Sequence, residues 1–224
     1  ARSERVAVVG TGPAGLTVAA RLAGYGYQVT LFEALPKAGG MLRYGVPASR
    51  LPEAALEADL DEILKLGVTL RSGAPIEARD GAATLLAEGF AAVFVAPGLW
   101  EPVRLDVPGI DLAGVSTAIE FLGDARSAPR KAETLVQGRN VAIIGGGSVA
   151  MDVARCAREL GARRSYAIAL EGMTELPARK KELKQAFRDG VVIKPQCQVT
   201  RVLGANGTVS GVEGVETEWI TPGK

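Results

Sequence analysis

The apolar positions of this chain fall into one pattern that occurs twice. Arg5-Val6-Ala7-Val8-Val9 is a short run rich in β-branched residues, of the kind that forms a strand buried on both faces. Glycines follow at once, in Gly10-Thr11-Gly12-Pro13-Ala14-Gly15. Leu16, Ala19, Ala20 and Ala23 then recur at helical spacing, which predicts a helix over Pro13 to Ala23 with proline at its first position and Gly24 just past its end. A second strand is predicted over Gln28 to Phe32, and Glu33 stands at its end, 23 residues after Gly10. The same order returns with the strand Val141 to Ile144, the loop Gly145-Gly146-Gly147-Ser148-Val149-Ala150, a helix over Met151 to Leu160 stopped by Gly161, and a strand over Tyr166 to Leu170. Glu171 then stands 26 residues after Gly145.

Between and after these units the pattern is less regular. Ala38 to Pro52 is rich in glycine, proline and arginine, and reads as a long loop of the functional kind. Leu56, Leu60, Ile63 and Leu64 predict a helix over Pro52 to Leu66, ended by Gly67. Val68 to Leu70 and Ala91 to Ala96 are strand candidates. Prolines at 97, 102 and 108 mark a boundary, which divides the chain into domains at 1–105 and 106–224. A short helix near Thr117 to Leu122 and a polar stretch from Asp124 to Arg139 precede the second unit. A basic helix over Ala178 to Arg188 and strands at Val191 to Lys194, Val199 to Leu203 and Thr208 to Val215 complete it. The fold class expected is α/β, with two Rossmann-like three-layer domains.

A strand, a G-x-G-x-x-G turn and a helix make a dinucleotide cradle for three reasons. The first glycine allows the tight turn, the second lets backbone approach a pyrophosphate, and the third lets helix and sheet pack closely. The helix start offers free N–H groups and partial positive charge to the diphosphate, and the acid after the second strand accepts from a ribose hydroxyl. Two such sites are therefore expected.

Composition removes other chemistries. Of 224 residues 28 are glycine, above an average of about 7%. The chain has no histidine, which excludes histidine-based nucleophile activation and histidine-bound metals. Its two cysteines, Cys156 and Cys197, are 41 positions apart, so there is no C-x-x-C pair for disulfide exchange, as a thioredoxin-reductase-like enzyme would need, and none for a metal cluster. Cys156 shares a helical stripe with Val149, Val153 and Leu160 and is expected in the core. Lys+Arg 26 against Asp+Glu 25 gives +1, which leaves no excess for a nucleic acid backbone. The longest uncharged stretch, Gly89 to Trp100, is 12 residues, short of the roughly 18 that a membrane span needs. The expected location is cytoplasmic. No catalytic side chain and no metal ligand is nominated.

Several segments carry a more specific resemblance. They are Val6 to Glu33, Gly39-Gly40-Met41-Leu42-Arg43-Tyr44-Gly45-Val46-Pro47 with Arg50-Leu51-Pro52, the second glycine loop with Met151-Asp152, and Glu175-Leu176-Pro177-Ala178. Together they resemble the glutamate synthase small subunit family, which includes the flavin and pyridine-nucleotide part of dihydropyrimidine dehydrogenase. The resemblance implies FAD on the first unit, at Gly10, Gly12, Pro13, Ala14, Gly15, Glu33, Gly40, Met41 and Arg43. It implies a nicotinamide nucleotide on the second, at Gly145, Gly147, Ser148, Val149 and Glu171. It also implies hydride transfer between NAD(H) and FAD and passage of electrons to an iron-sulfur or flavin partner in a hetero-oligomer. A nucleotide-holding structural or sensing subunit without turnover is the alternative.

Three departures from the family pattern stand out. The cysteine-rich iron-sulfur domain of many members is not expected within these 224 residues, and Ala96-Pro97-Gly98 replaces the usual Ala-Thr-Gly. The family's flavin domain resumes after the nucleotide domain with a Gly-Asp motif, and none follows before Lys224, so the FAD domain is expected to lack its C-terminal return segment. Finally, Glu171 stands where NADPH-using members carry an arginine pair. A carboxylate repels a 2'-phosphate and bonds a 2'-hydroxyl, which favours NAD over NADP, although Arg179, Lys180 and Lys181 are near enough in sequence to meet a phosphate.

Overall fold

The computed structural model describes residues 2–77 and 79–218; the predicted end of the second domain, at Lys224, lies outside them. The chain forms two compact units, residues 1–100 and 101–224.

The first unit runs β1 (Arg5–Val9), α1 (Pro13–Gly24), β2 (Gln28–Phe32), α2 (Met41–Tyr44), α3 (Glu53–Lys65), β3 (Thr69–Arg71), α4 (Gly81–Ala87) and β4 (Ala92–Val95). All four strands are parallel, in the order β3-β2-β1-β4, with Val9 level with both Phe32 and Val95. Alternate residues of β1 enter different cores, as a strand's period of two requires. Val8 packs with Leu16, Ala19, Leu56 and Leu60, while Ala7 packs with Phe32, Leu85 and Phe90. Helices on both faces of the sheet make three layers. The chain leaves β1 toward β2 on one side and β4 joins on the other, so the carboxyl ends of β1 and β4 flank a topological switch point, where open α/β sheets hold ligands.

Two elements differ from the sequence expectation here. The segment from Ala38 to Pro52 is not wholly loop, because Met41–Tyr44 forms a helical turn. α4 was not expected, since its seven residues bury only Gly81 and Leu85 and so carry too little periodicity to detect. In addition α1 includes Gly24, and the left-handed residue that ends it is Gly26, at φ 87°.

The second unit contains α5 (Ala118–Ser127), α6 (Pro129–Val136), β5 (Asn140–Ile144), α7 (Ser148–Glu159), β6 (Arg164–Ile168), α8 (Lys180–Arg188), β7 (Val191–Lys194), β8 (Cys197–Ala205) and β9 (Thr208–Glu216). β5, β6 and β7 form a parallel sheet in that order. β8 and β9 form an antiparallel hairpin whose turn, Asn206 at φ 53° and Gly207 at φ 76°, has the positive dihedrals of a tight two-residue connection. One core holds Phe121, Val136, Ile143, Met151, Ala167 and Ile193 together.

Asp124 to Arg139, expected as a polar stretch, is mostly helix. α5 continues to Ser127 and α6 begins at Pro129, because Ala132 and Val136, four residues apart, turn one face into the core. The break falls at Ala128, whose φ of −140° and ψ of 61° lie outside the helical region that a following proline disfavours. β6 ends at Ile168 rather than Leu170, because its partner β7 ends at Lys194 and Gln196, at φ 51°, turns its N–H to the Glu171 carbonyl and leaves the Ala169 carbonyl to Cys197.

Candidate functional site

The first cradle begins where β1 ends. The N–H of Gly10 donates to the Phe32 carbonyl at 2.8 Å, and φ at Gly10 is +97°, so the turn needs glycine on conformational grounds alone. A Cβ there would overlap the Ala96 carbonyl at the end of β4, and a Cβ on Gly15 would overlap the Gly10 carbonyl. Gly10 and Gly15 are thus explained by the chain's own packing. Gly12 is not. It caps α1 in extended conformation, φ −72°, and among the described residues, its chain neighbours aside, nothing lies within 4 Å of where its Cβ would be. Nothing in the protein requires glycine at that place, beside the N–H groups that the first turn of α1 leaves without helical acceptors. The cradle fits a phosphate-bearing ligand whose backbone contact a side chain would block.

Glu33 is 6% exposed. Its Oε2 accepts from the Thr11 N–H at 3.2 Å and from the Thr11 hydroxyl, and its Oε1 accepts from the Leu35 N–H at 2.9 Å. Gly40, at φ 52°, presses against the same loop, so that a Cβ on it would stand 2.7 Å from the Gly12 Cα. Pro13 and Ala14 are exposed at the open start of α1, and Met41 is half-buried one residue beyond Gly40. Arg43 is engaged by the protein itself. Its buried guanidinium donates to the Ala38 carbonyl at 2.5 Å and pairs with Glu53 at 3.0 Å and Glu57 at 2.8 Å, bracing α2 against the start of α3.

The second cradle repeats this plan in the other unit. The Gly145 N–H donates to the Ile168 carbonyl at 2.7 Å, with φ +138°, and Met151 N–H donates to the Gly147 carbonyl at 3.2 Å. Gly147 caps α7 at φ −85°, again with nothing within 4 Å of a Cβ position. The helix starts at Ser148, three residues before the expected Met151, which places Ser148 and Val149 in its first turn. Val149 therefore does not share the buried face with Cys156. It is 55% exposed, while Ala150, Met151, Ala154 and Ala157 form that face.

Segment Glu171 to Ala178 folds back over the loop. The Ala178 N–H donates to the Gly146 carbonyl at 3.1 Å, and a Cβ on Gly146 would lie 2.7 Å from Leu176 Cδ2 and 3.2 Å from Glu171 Oε2. Glu171, half-buried, thus brings its carboxylate beside the second glycine loop from the end of the strand region, with its carbonyl held by the Gln196 N–H at 3.0 Å.

Thr11, Leu176 and Ala178 were not nominated from the sequence. Thr11 had a signal, a hydroxyl between two glycines where any small residue suits the turn. The roles of Leu176 and Ala178 depend on contacts with a loop thirty positions away, which no local pattern encodes. Cys156 is 7% exposed, and burial, with Glu159 and Asp152 adding to it, pushes its thiol up to about 11. Such a thiol is inert rather than redox-active. Among the described residues no group of His, Cys, Asp and Glu is arranged to hold a metal, and no helix is long and apolar enough to cross a membrane.

The chain is 38% identical over 221 residues to the NADP(+)-dependent formate dehydrogenase subunit beta of Moorella thermoacetica, covering 98% of this chain and 31% of that protein. It is 38% identical over 189 residues to the NAD-dependent dihydropyrimidine dehydrogenase subunit PreT of Escherichia coli strain K12, covering 84% of this chain and 44% of that protein. It therefore spans less than half the length of either relative. A solved structure of a mutant FprA from Mycobacterium tuberculosis shares the fold, with TM-score 0.79, 18% identity, and coverage of 99% of this chain and 66% of that one. Residues 4–220 match the family described as pyridine nucleotide-disulphide oxidoreductase, and the chain belongs to that family.

Proposed function

We propose that this chain is the nucleotide-binding part of an FAD-containing pyridine-nucleotide oxidoreductase, which moves hydride between NAD(H) and FAD and exchanges electrons with an iron-sulfur or flavin partner subunit. The observation that carries the reading is the pair of unexplained glycines. Gly12 and Gly147 cap the first helix of each cradle, neither has a positive φ, and neither has a neighbour where a side chain would go. Each leaves room for a ligand at a helix start.

In the first unit Gly12, Ala14 and Gly15 would receive a diphosphate, Glu33 a ribose, and the Gly40–Met41 backbone the part of FAD beyond it. In the second unit Gly145, Gly147, Ser148 and Val149 would receive the diphosphate of the nicotinamide nucleotide, with Glu171 at its ribose. When bound, FAD supplies a ring that accepts or returns a hydride. The protein's part is to orient the two nucleotides and exclude water, work that needs neither histidine nor an acid-base side chain. Both described cysteines are free, and the Cys156 thiol is buried in the core.

The coenzyme is proposed as NAD(H). One relative is named for NADP(+) and the other for NAD, and the support for NAD here is the Glu171 carboxylate beside the loop. The test is to titrate FAD and NADH into the chain and follow flavin absorbance. Binding of both with bleaching by NADH is expected. Binding without bleaching would indicate a nucleotide-holding subunit, and failure of either nucleotide to bind would refute the reading.

A further inference from the structure

We propose that Thr11 is a positioning residue of the first cradle, which holds the Glu33 carboxylate so that its Oε1 is left to take a ribose hydroxyl, and which locks that acid to the Gly39–Gly40 backbone. This rests on the reading of the first unit as a dinucleotide site.

Thr11 is fully buried, at 0% exposure, in a turn where the backbone asks for no hydroxyl. That hydroxyl is used twice. It donates its one proton to Glu33 Oε2, and its oxygen accepts from the Gly39 N–H at 3.0 Å. The Thr11 N–H makes a second bond to the same Oε2, at 3.2 Å, while among the described residues Oε1 accepts only from Leu35, at 2.9 Å. A carboxylate oxygen has two acceptor positions. Both positions on Oε2 are therefore taken, and one remains on Oε1. An acid held in this way offers Oε1 to a ribose hydroxyl, and without the Thr11 hydroxyl the carboxylate is free to turn from that position. At 6% exposure, a donor added to Glu33 competes with little water.

The second bond extends the effect. Gly39 leads directly into Gly40, which stands against Gly12. The Thr11 hydroxyl therefore joins three parts of the cradle: the ribose acid, the phosphate-facing glycine, and the segment leading toward α2.

Two variants separate positioning from plain structural support. Thr11→Val keeps the shape and loses the hydroxyl, and Thr11→Ser keeps the hydroxyl. For each chain the dissociation constants of FAD and of an FAD analogue with a 2',3'-dideoxy adenosine ribose are measured by calorimetry, alongside a melting curve. The ratio of the two constants reports the ribose contact, and a general loosening of the fold weakens both ligands alike. Wild type is expected to prefer FAD by about tenfold, the scale of one hydrogen bond to a charged group. Thr11→Val should bring the ratio close to one, and Thr11→Ser should keep it. An unchanged or larger ratio in Thr11→Val, or a Thr11→Ser ratio equal to that of Thr11→Val, overturns the positioning role. A wild-type chain that binds FAD with no preference over the analogue also overturns it, whereas a wild-type chain that binds no FAD overturns the site reading itself and this proposal with it.

Discussion

Gly12 and Gly15 lie three residues apart in one glycine loop, and replacing them should do opposite kinds of damage. At Gly12 the backbone is extended, φ −72° and ψ −179°, a conformation open to any residue, and a Cβ meets nothing within 4 Å. Losing a favoured helix-cap residue costs at most about 1 kcal/mol, and the stiffer unfolded chain returns about half of that or more. Gly12→Trp should therefore shift the melting temperature by no more than about 5 °C. Its indole, however, fills the space left for a diphosphate, and FAD affinity should fall by at least about 100-fold, or ~2.7 kcal/mol. Gly15→Ala lies inside α1, where alanine would ordinarily gain about 1 kcal/mol over glycine. Here its Cβ overlaps the Gly10 carbonyl, a backbone atom, and Gly10 cannot retreat because it packs against Ala96. A cost of about 1–3 kcal/mol is expected instead. Circular dichroism melting and FAD fluorescence titration on the two variants decide the matter. A folded Gly12→Trp chain with wild-type FAD affinity would refute the ligand reading of that glycine, and a Gly15→Ala chain at or above the wild-type melting temperature would refute the packing reading of this one.

Glu171→Arg should narrow or invert the preference for NADH over NADPH. Repulsion between a carboxylate and a 2'-phosphate at about 4 Å and effective dielectric 20 is roughly 4 kcal/mol before screening, so wild type should discriminate at least about tenfold in hydride transfer, and equal rates from the two coenzymes would count against the assignment. Cys156, with its thiol raised from 9.0 to about 11, should resist alkylation at pH 8 in the folded chain while Cys197 reacts, as mass spectrometry of labelled peptides would show. Because its folded pKa lies above the unfolded one, its contribution to stability is complete below pH 9 and is lost as pH rises toward 11; denaturant melts of wild type and Cys156→Ala across that range should converge if the sign is right. Thr117 and Glu120 form a capping box at the start of α5, with Thr117 N–H to Glu120 Oε2 at 2.8 Å. Thr117→Ala should cost about 1 kcal/mol. The bonds from Thr117 hold the Glu120 carboxyl below its ordinary value, so this cap is present at neutral pH and weakens on acidification through that lowered range. A wild-type melting curve that gained on Thr117→Ala as pH fell would contradict it.

Local pattern along the chain determined most of the scaffold. β1, β2 and β7 have the limits that their apolar runs indicate, and both strand, glycine loop and helix units were legible because each is a contiguous stretch whose turn chemistry is written into neighbouring residues. The core position of Cys156 followed from helical periodicity in the same way. α4 and α6 were not legible, since a short helix held by two buried positions has no period to read, and only the surface it packs against selects its face. The exposure of Val149 followed from where α7 begins, a matter of how the Gly147 cap meets the sheet.

In the site, the sequence by itself determined which residue types stand at each turn and which role each glycine of a G-x-G-x-x-G loop takes. Only the tertiary structure supplied the atoms behind those roles, because the contacts that crowd or spare a glycine are brought near from elsewhere. Ala96 accounts for Gly10, Leu176 and Ala169 account for Gly146, and the lack of any neighbour marks Gly12 and Gly147. It also drew Arg43 into ion pairs with Glu53 and Glu57, and gave Thr11 its two bonds, to partners 22 and 28 positions away. Hydrogen bonds and close contacts of that range form when the sheet closes. No property of the residues taken in order specifies them.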